Sequence, residues 1–166
     1  PPDDLFGRIV NTASPSGIYG NIGQSNYGAA KAGIAAFTII TAMELTKYGV
    51  TVNCLAPGAY TRMTKDLPGF AGMDEETQEK MGPRWIAVTT TWLCSDAAQN
   101  VTGRIFDIVG QRVGIAEQWK LGPTAMQTDD PADMTDVIAG LMAEAALNSD
   151  MGGHPTEGPG RPGKTI

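Results

Sequence analysis

The sequence predicts an α/β fold built on parallel strands. Two observations support this: an apolar run, a helical pattern and a second apolar run follow one another with short links, and another strand pattern recurs near residue 105. A strand, a helix and a strand joined in this way form a βαβ unit with a right-handed crossover. The chain has 166 residues, 42% of them hydrophobic and 18% charged, which is enough for one domain with a core.

Composition and charge exclude several classes of function. The net charge of −6 argues against a nucleic-acid or anionic-membrane partner, because both attract clustered Lys and Arg. We find no apolar run near the ~20 residues that cross a bilayer, and we expect no signal peptide. Cys54 and Cys94 lie in apolar runs, which favours two buried, reduced thiols in a cytoplasmic protein. The single histidine, His154, lies in a Gly/Pro-rich stretch, so a Ser-His-Asp triad and a zinc site are excluded.

Strand and helix signals alternate along the first part of the chain. Residues 8–12 predict a strand buried on both faces, and the Gly-rich SPSGIYGNIG that follows predicts a loop. Ser25 or Asn26 is expected to cap a helix that runs to about Tyr48. Residues at helical spacing along it are Tyr27, Ala30, Ile34, Phe37, Ile40 or Thr41, and Leu45. Gly49 is expected to end the helix, before a second buried strand, VTVNCLAPG.

The remaining elements are less regular. Residues 59–83 lose periodicity, which favours a mobile segment, and residues 84–96 predict a helix, followed by the strand RIFDIVG. The inward face of that helix is predicted to carry Trp85, Val88 and Trp92. Residues 131–147 begin with helix-start signals and predict a second such helix. Its apolar stripe consists of Met134, Val137, Ile138, Leu141, Met142 and Ala145.

Tyr27 and Lys31 are four residues apart on the predicted helix, so their side chains share one face. A tyrosine with its ordinary pKa of about 10 is a poor base at neutral pH, and a nearby ammonium group favours the phenolate. Ser14 follows the preceding strand, at the edge where open α/β sheets bind ligands. A lone Y-x-x-x-K is more often a core tyrosine beside a solvated lysine, so the spacing alone does not establish a site.

The sequence around these residues resembles the carboxyl-terminal half of classical short-chain dehydrogenases/reductases. The resemblance rests on a serine thirteen residues before the Y-x-x-x-K tyrosine, on N-x-G-Q-x-N-Y-x-A-A-K-A-G, and on N-x-x-A-P-G at the end of a strand. WLCSDAAQNVTGRIFDIVG resembles the family's last helix and strand. Within the family, the sequence is most similar to the 3-hydroxyacyl-CoA dehydrogenase domain of peroxisomal multifunctional enzymes and their actinobacterial relatives. This similarity rests on the segments TASPSGIYGNIGQSNY, RMT and WLC.

The resemblance implies a fold and a division of the chain. Residues 1–115 would form the carboxyl-terminal, catalytic half of a Rossmann-like, doubly wound parallel sheet, with residues 60–83 as a substrate lid. Residues 116–147 would form an extension with an extra C-terminal helix at about 131–147. Residues 148–166, rich in Gly, Pro and polar side chains, are expected to be a disordered tail.

The resemblance also implies roles for the catalytic residues. Tyr27 would be the general acid/base that exchanges a proton with a substrate hydroxyl or carbonyl. Lys31 would favour its phenolate form and hydrogen-bond the nicotinamide ribose, while Ser14 would hold the substrate oxygen. Asn26 would be structural, as a helix cap.

A nicotinamide cofactor is implied by the same resemblance, with NAD(H) expected in preference to NADP(H). Pro57 and Gly58 would let the backbone approach the nicotinamide, and Thr61 would reach its carboxamide or the phosphates. The substrate would be a secondary alcohol or ketone, such as a 3-hydroxyacyl-CoA or a sterol-like molecule. The helix of Tyr27 would contribute to a homo-oligomer interface.

The sequence also departs from the family pattern. We find no G-x-x-x-G-x-G loop, no residue that selects NAD or NADP and no upstream proton-relay asparagine, and we interpret Gly17, Gly20 and Gly23 as turn glycines. GQRVG at 110–114 replaces a stretch where the family often has a further glycine. We therefore expect the acid/base half of a site without most of the cofactor site. A catalytically silent fragment that serves as an assembly module remains the alternative, and a family epimerase lacks its sugar-nucleotide signatures.

Overall fold

The computed structural model describes residues 7–117 and 119–155, which form two units divided between Glu117 and Gln118. The first unit holds a four-stranded sheet in the order β1-β2-β3-β4. The strands are β1 Gly7–Thr12, β2 Val50–Gly58, β3 Ile105–Val109 and β4 Arg112–Ala116. The first three are parallel, as predicted, and β4 is antiparallel to β3. The α/β prediction is confirmed, with a mixed sheet in place of a wholly parallel one.

Four helices belong to this unit: α1 Pro15–Ile18, α2 Ser25–Leu45, α3 Glu75–Lys80 and α4 Arg84–Leu93. A 3₁₀ turn, Thr46–Tyr48, extends α2 to the predicted end. Gly49 follows with φ of 73°, a left-handed conformation that glycine adopts without a steric penalty. The strand prediction VTVNCLAPG coincides with β2.

The core lies on both faces of the sheet because side chains alternate along each strand. Cys54 and Ala56 of β2 pack with Ala35 of α2 on one face, while Leu55, between them, packs with Leu93 of α4 on the other. Helices therefore cover the sheet from both sides, the arrangement expected of a doubly wound fold.

Both β1 and β2 were predicted to be buried strands. The prediction is wrong for β1 and correct for β2. Ile9 is 37% exposed and Thr12 is exposed, whereas residues 51–56 are all buried. β1 is the edge strand of the described sheet, while β2 lies between β1 and β3. A continuous apolar run does not reveal whether a strand occupies the centre or the edge.

The packed faces of two helices also differ from prediction. Along α2 the buried residues are Ala35, Thr38 and Ala42, and the larger apolar side chains point outward. Exposed members of the predicted α2 stripe are Tyr27, Ala30, Phe37 and Ile40. Small residues allow a helix to lie close to a sheet, so here they form the packed face. On α4 the inward residues are Ile86 and Leu93; of the predicted ones, Trp85 is half-buried and Val88 and Trp92 are exposed.

The two cysteines are both free, but only one is buried. Cys54, on β2, lies in the core with Ala13 and Ala35, and Cys94, just after α4, is exposed. The expectation of two buried thiols is therefore wrong for Cys94, which is the C-cap of α4 and is exposed. Burial raises the pKa of the Cys54 thiol.

Ser25–Tyr48 is long and apolar enough to cross a bilayer when judged by length and composition. It spans 24 residues, and its best window has a mean hydropathy of 1.3 and is 17% buried. Our expectation that no apolar run approaches bilayer length therefore fails for this helix. A helix that packs on a sheet passes the same test, and α2 packs on β1 and β2.

The segment at 59–83, expected to be mobile, contains a capped helix, and its two ends are joined by a hydrogen bond. Asp74 caps α3 by accepting a hydrogen bond from the Thr77 amide at 2.8 Å. The Tyr60 amide donates to the Met81 carbonyl at 2.8 Å, which joins the two ends of the segment. The segment is therefore a loop that carries its own helix and whose two ends lie close together.

The second unit holds α5, Met134–Glu144, after a 3₁₀ turn Pro131–Asp133. Asp130 caps this turn by accepting from the Ala132 amide at 2.9 Å. The six side chains of the predicted stripe are all half-buried. Part of the predicted tail, residues 148–155, forms a turn closed by a bridge between Ser149 and Pro155. The rest of that predicted tail lies outside the described residues.

Candidate active site

Lys31 links the end of β1 to the exposed face of α2. Its Nζ donates a hydrogen bond to the carbonyl oxygen of Thr12 at 3.0 Å. The same Nζ lies 5.7 Å from the centroid of the Tyr27 ring, within the range of a cation–π interaction. An ammonium group has three donors, so two remain for a ligand. Tyr27 is 43% exposed, and its ring can be reached from solvent.

Ser14 lies immediately beyond β1 and caps α1. Its backbone is extended, with φ of −165°, and its Oγ accepts a hydrogen bond from the Ser16 amide at 3.3 Å. This bond uses a lone pair of the hydroxyl, so the hydroxyl proton remains available for donation. Ser14 is buried, with 8% of its surface exposed. A ligand oxygen at this position would therefore meet a hydroxyl that is held by the Ser16 amide and is largely shielded from solvent.

Close packing of α1 on α2 fixes the position of Ser14 relative to Lys31. A Cβ added at Gly17 would lie 2.6 Å from the Ala32 nitrogen and 2.7 Å from the Lys31 carbonyl carbon. A Cβ at Gly28 would come within 3.1 Å of the Ser16 carbonyl oxygen. Two glycines facing each other's helices let the two backbones touch.

The interpretation as turn glycines holds for Gly20 and Gly23 and is wrong for Gly17, which lies in α1, within the stretch predicted to be a loop. Gly20 and Gly23 have φ of 83° and 81°. Gln24, and not Ser25 or Asn26, is the N-cap of α2, and its Oε1 accepts from the Ser16 hydroxyl at 2.7 Å. The Asn26 side chain instead accepts from the Tyr27 amide at 2.8 Å within the first turn.

The predicted cofactor residues form a second group at the carboxyl end of β2. Thr12 pairs with Leu55, so Pro57 and Gly58 extend beyond the end of β1. The Thr61 hydroxyl lies 3.0 Å from that of Thr64 and accepts from the Met63 amide at 3.2 Å. Among the described contacts, no hydrogen bond joins this group to Tyr27 or Lys31.

A shallow depression of about 290 Å³ lies between α1, the glycine loop and the start of α2. Its lining runs from Ser16 to Ala32 and includes none of Ser14, Tyr27 and Lys31. The depression is therefore not the candidate site. Within the part of the chain that the structure describes, no group of three His, Cys, Asp or Glu side chains could hold a metal.

The sequence reasoning missed a buried carboxylate that contacts Tyr19, the C-cap of α1. Asp107, in the middle of β3, is 3% exposed and accepts a hydrogen bond from the Tyr19 hydroxyl at 3.1 Å. Arg112, on β4, approaches the other carboxylate oxygen at 3.6 Å. Burial, followed by the negative charge of Asp107, raises the pKa of Tyr19 to about 12. The only sequence signal was a charged residue inside the apolar run RIFDIVG.

Comparisons with known proteins identify relatives of this chain. A family model described as enoyl-(acyl carrier protein) reductase matches residues 2–110. The hydroxyacyl-CoA dehydrogenase ChsB1 of Mycobacterium tuberculosis is 39% identical over 132 residues, which are 79% of this chain and 40% of that protein. A peroxisomal hydratase-dehydrogenase-epimerase of Neurospora crassa is 36% identical over 134 residues, which are 80% of this chain and 14% of that protein.

A solved structure gives the same result at the level of the fold. The crystal structure of a short chain dehydrogenase from Mycobacterium avium superposes with a TM-score of 0.72 at 36% identity. The match covers 92% of this chain and 47% of that one. The chain thus spans less than half the length of each of these proteins.

Proposed function

The chain belongs to the short-chain dehydrogenase/reductase family of oxidoreductases, and on this premise we propose that it takes part in hydride transfer between a nicotinamide cofactor and a secondary alcohol or ketone. Tyr27 is the general acid/base, and Ser14 binds the substrate oxygen. Lys31 supplies a positive charge beside Tyr27 and hydrogen-bond donors for the cofactor. The observation that carries the proposal is the position of the Lys31 ammonium group, between the end of β1 and the Tyr27 ring.

The proton chemistry follows from these three side chains. In the direction of oxidation, the Tyr27 phenolate accepts the proton of the substrate hydroxyl while the C–H bond on the carbon that bears this hydroxyl breaks. The Ser14 hydroxyl donates a hydrogen bond to the same oxygen, and the Lys31 ammonium places a positive charge beside the Tyr27 ring. In the reverse direction Tyr27 returns the proton to the carbonyl oxygen. A bound nicotinamide supplies the hydride acceptor or donor.

The residues present fit one end of such a cofactor. The two remaining donors of Lys31 suit the hydroxyls of a ribose, and the Pro57–Gly58 backbone offers close approach at the sheet edge. The Thr61 hydroxyl is engaged with Thr64, so it reaches a cofactor only if that bond opens. We propose NAD(H) in preference to NADP(H), with the pyrophosphate held outside the residues described.

An acyl-CoA is the substrate class we propose, because a hydroxyacyl-CoA dehydrogenase is among the relatives of the chain. Residues 60–83 would act as the lid, since the segment begins next to Gly58 and its ends are hydrogen-bonded to each other. The outward apolar face of α2 supports a homo-oligomer formed through this helix. Two free cysteines suit a reducing compartment, such as the cytoplasm.

Binding of NADH, followed by its fluorescence, tests the proposal. We expect saturable binding by the chain, alone or when joined to a dinucleotide-binding half. Lys31→Met should weaken it by about tenfold or more, because a hydrogen bond to a charged group is lost. Lys47→Met, on the far end of the helix, is the matched control. Absence of binding in both forms would reject the oxidoreductase proposal.

The alternative, a catalytically silent assembly module, also has an observation in its favour. Phe37, Ile40 and Met43 expose an apolar face on α2 that can bind a second protein surface. Self-association without any NADH binding would support this alternative over the oxidoreductase.

A further inference from the structure

We propose that Asp107 is a positioning residue that holds Ser14 in place through Tyr19 and α1. The inference rests on the proposed function, in which Ser14 binds the substrate oxygen. It assigns a role to the one charged side chain that lies in the middle of β3, flanked by the core residues Phe106 and Ile108.

The contact joins elements that are distant in sequence. The Tyr19 hydroxyl donates to Asp107 Oδ2 at 3.1 Å across 88 residues. Asp107 is 3% exposed, and no hydrogen-bond partner is described for its Oδ1, which faces Arg112 Nη2 at 3.6 Å. A buried carboxylate is costly unless it is paired, so its position in an apolar strand requires a compensating partner. The Tyr19 hydroxyl is the direct one.

A short chain of contacts carries this restraint to Ser14. Tyr19 is the C-cap of α1, and its amide donates to the Pro15 carbonyl at 2.8 Å. The Gly17 amide donates to the Ser14 carbonyl at 2.9 Å, and the Ser16 amide donates to Ser14 Oγ. The whole of α1 is one helical turn, so an anchor at its C-terminal end restricts the rotation of its N-terminal end.

The rest of α1 is held mainly by contact with α2. Gly17 touches the backbone of α2, and the buried Ser16 hydroxyl donates a hydrogen bond to the Gln24 side chain. These contacts hold α1 against α2 and include no hydrogen bond to the sheet. The bond from Tyr19 to β3 is the described side-chain hydrogen bond that ties α1 to the sheet. Asp107 therefore acts together with the Ala13 amide, which donates to the Leu55 carbonyl of β2 at 2.7 Å, in setting where the Ser14 hydroxyl lies relative to the sheet edge.

Amide hydrogen exchange followed by NMR tests the link without reference to activity. In Tyr19→Phe we expect the amides of Ser16, Gly17 and Tyr19 to exchange about tenfold faster, because α1 loses its anchor. The amides of Cys54 and its neighbours in β2 should be unchanged. Tyr48→Phe, an exposed tyrosine on the 3₁₀ turn, is the matched control. Unchanged exchange in α1, or an equal increase in β2, would overturn the proposal.

Kinetics test the consequence for Ser14. In Tyr19→Phe we expect kcat to fall by about tenfold with KM within about twofold, since a misplaced hydroxyl affects the reaction more than substrate binding. Asp107→Asn keeps an acceptor for Tyr19 and should retain more of kcat than Asp107→Leu. Faster exchange in α1 with kcat unchanged would overturn the positioning role. If the wild-type chain shows no turnover in any form, the proposed function fails, and the exchange result still decides whether Asp107 anchors α1.

Discussion

At the residue scale, Lys31 shows both what the sequence predicts and what it omits. The four-residue spacing places Tyr27 and Lys31 on one helix face, and the 5.7 Å separation of Nζ from the ring agrees with this. The bond from Nζ to the Thr12 carbonyl was not predictable, because it depends on how closely α2 lies against β1. The catalytic roles assigned to Ser14, Tyr27 and Lys31 remain predictions.

Asp107 and Tyr19 were missed for a related reason. Each looks ordinary in its own segment, one within an apolar run and one in a glycine loop. The pairing of β2 with both β1 and β3 brings these two segments together. A charged residue in a buried strand was the available signal, and it calls for a partner in the fold.

The raised pKa of Tyr19 predicts a pH dependence of stability. The folded state holds this proton up to a pKa of about 12, compared with 10.0 when exposed. The contribution of the Tyr19 hydroxyl to folding is therefore complete below about pH 10 and is lost as the pH rises toward 12. We expect the destabilisation caused by Tyr19→Phe to be largest near neutral pH and to shrink over that range. Urea unfolding of both chains measures it, and a constant difference would contradict the assignment.

At the element scale, α2 and α4 show why a helix can be predicted while its packed face is not. The periodicity gave the correct helices, and β2 matched its prediction throughout. In α2, however, alanines and a threonine form the buried face, and Phe37 and Ile40 point outward. The usual rule places the largest apolar side chains inward. The rule fails in α2, because the backbone of this helix lies close to the sheet and only small side chains fit between them.

The contact between α1 and α2 predicts the effect of a single methyl group. Gly17→Ala would place a Cβ within 2.7 Å of the α2 backbone, which neither helix can accommodate without moving. We expect a loss of about 1–3 kcal/mol in the free energy of unfolding. Gly33→Ala, in α2 with nothing within 4 Å, should instead gain about 0.5–1 kcal/mol. Denaturant unfolding at a concentration where the chain is monomeric compares them, and equal effects would contradict the packing.

At the scale of the whole molecule, the order of the main elements was predictable and the end of the sheet was not. The βαβ unit and the strand at β3 follow from periodicity and turn residues. β4 was not predicted, because RVGIA follows Gly110 and contains Gly114, and glycine is depleted in strands. The Gly110–Gln111 turn makes it an antiparallel hairpin instead, with Val109 paired to Arg112.

The exposed face of α2 predicts self-association. Phe37, Ile40 and Met43 are 58%, 51% and 69% exposed and lie on the same helix as Tyr27. We expect the chain to sediment as a dimer or larger species and the double variant Phe37→Glu, Met43→Glu to sediment as a monomer, because charge opposes burial of this face. Met63→Glu, at an 85% exposed position elsewhere, is the control. A wild-type monomer at micromolar concentration would contradict the prediction.

The central claim is that Tyr27 exchanges the proton of the substrate. Its hydroxyl forms no described hydrogen bond within the fold, so Tyr27→Phe should leave the unfolding curve unchanged. The most direct measurement is the rate of NADH formation from a 3-hydroxyacyl-CoA by the enzyme form that binds NADH, with Tyr48→Phe as the matched control. We predict that Tyr27→Phe lowers kcat by about a hundredfold or more, the usual contribution of a general acid/base. A kcat within about twofold of wild type would show that Tyr27 is not the base.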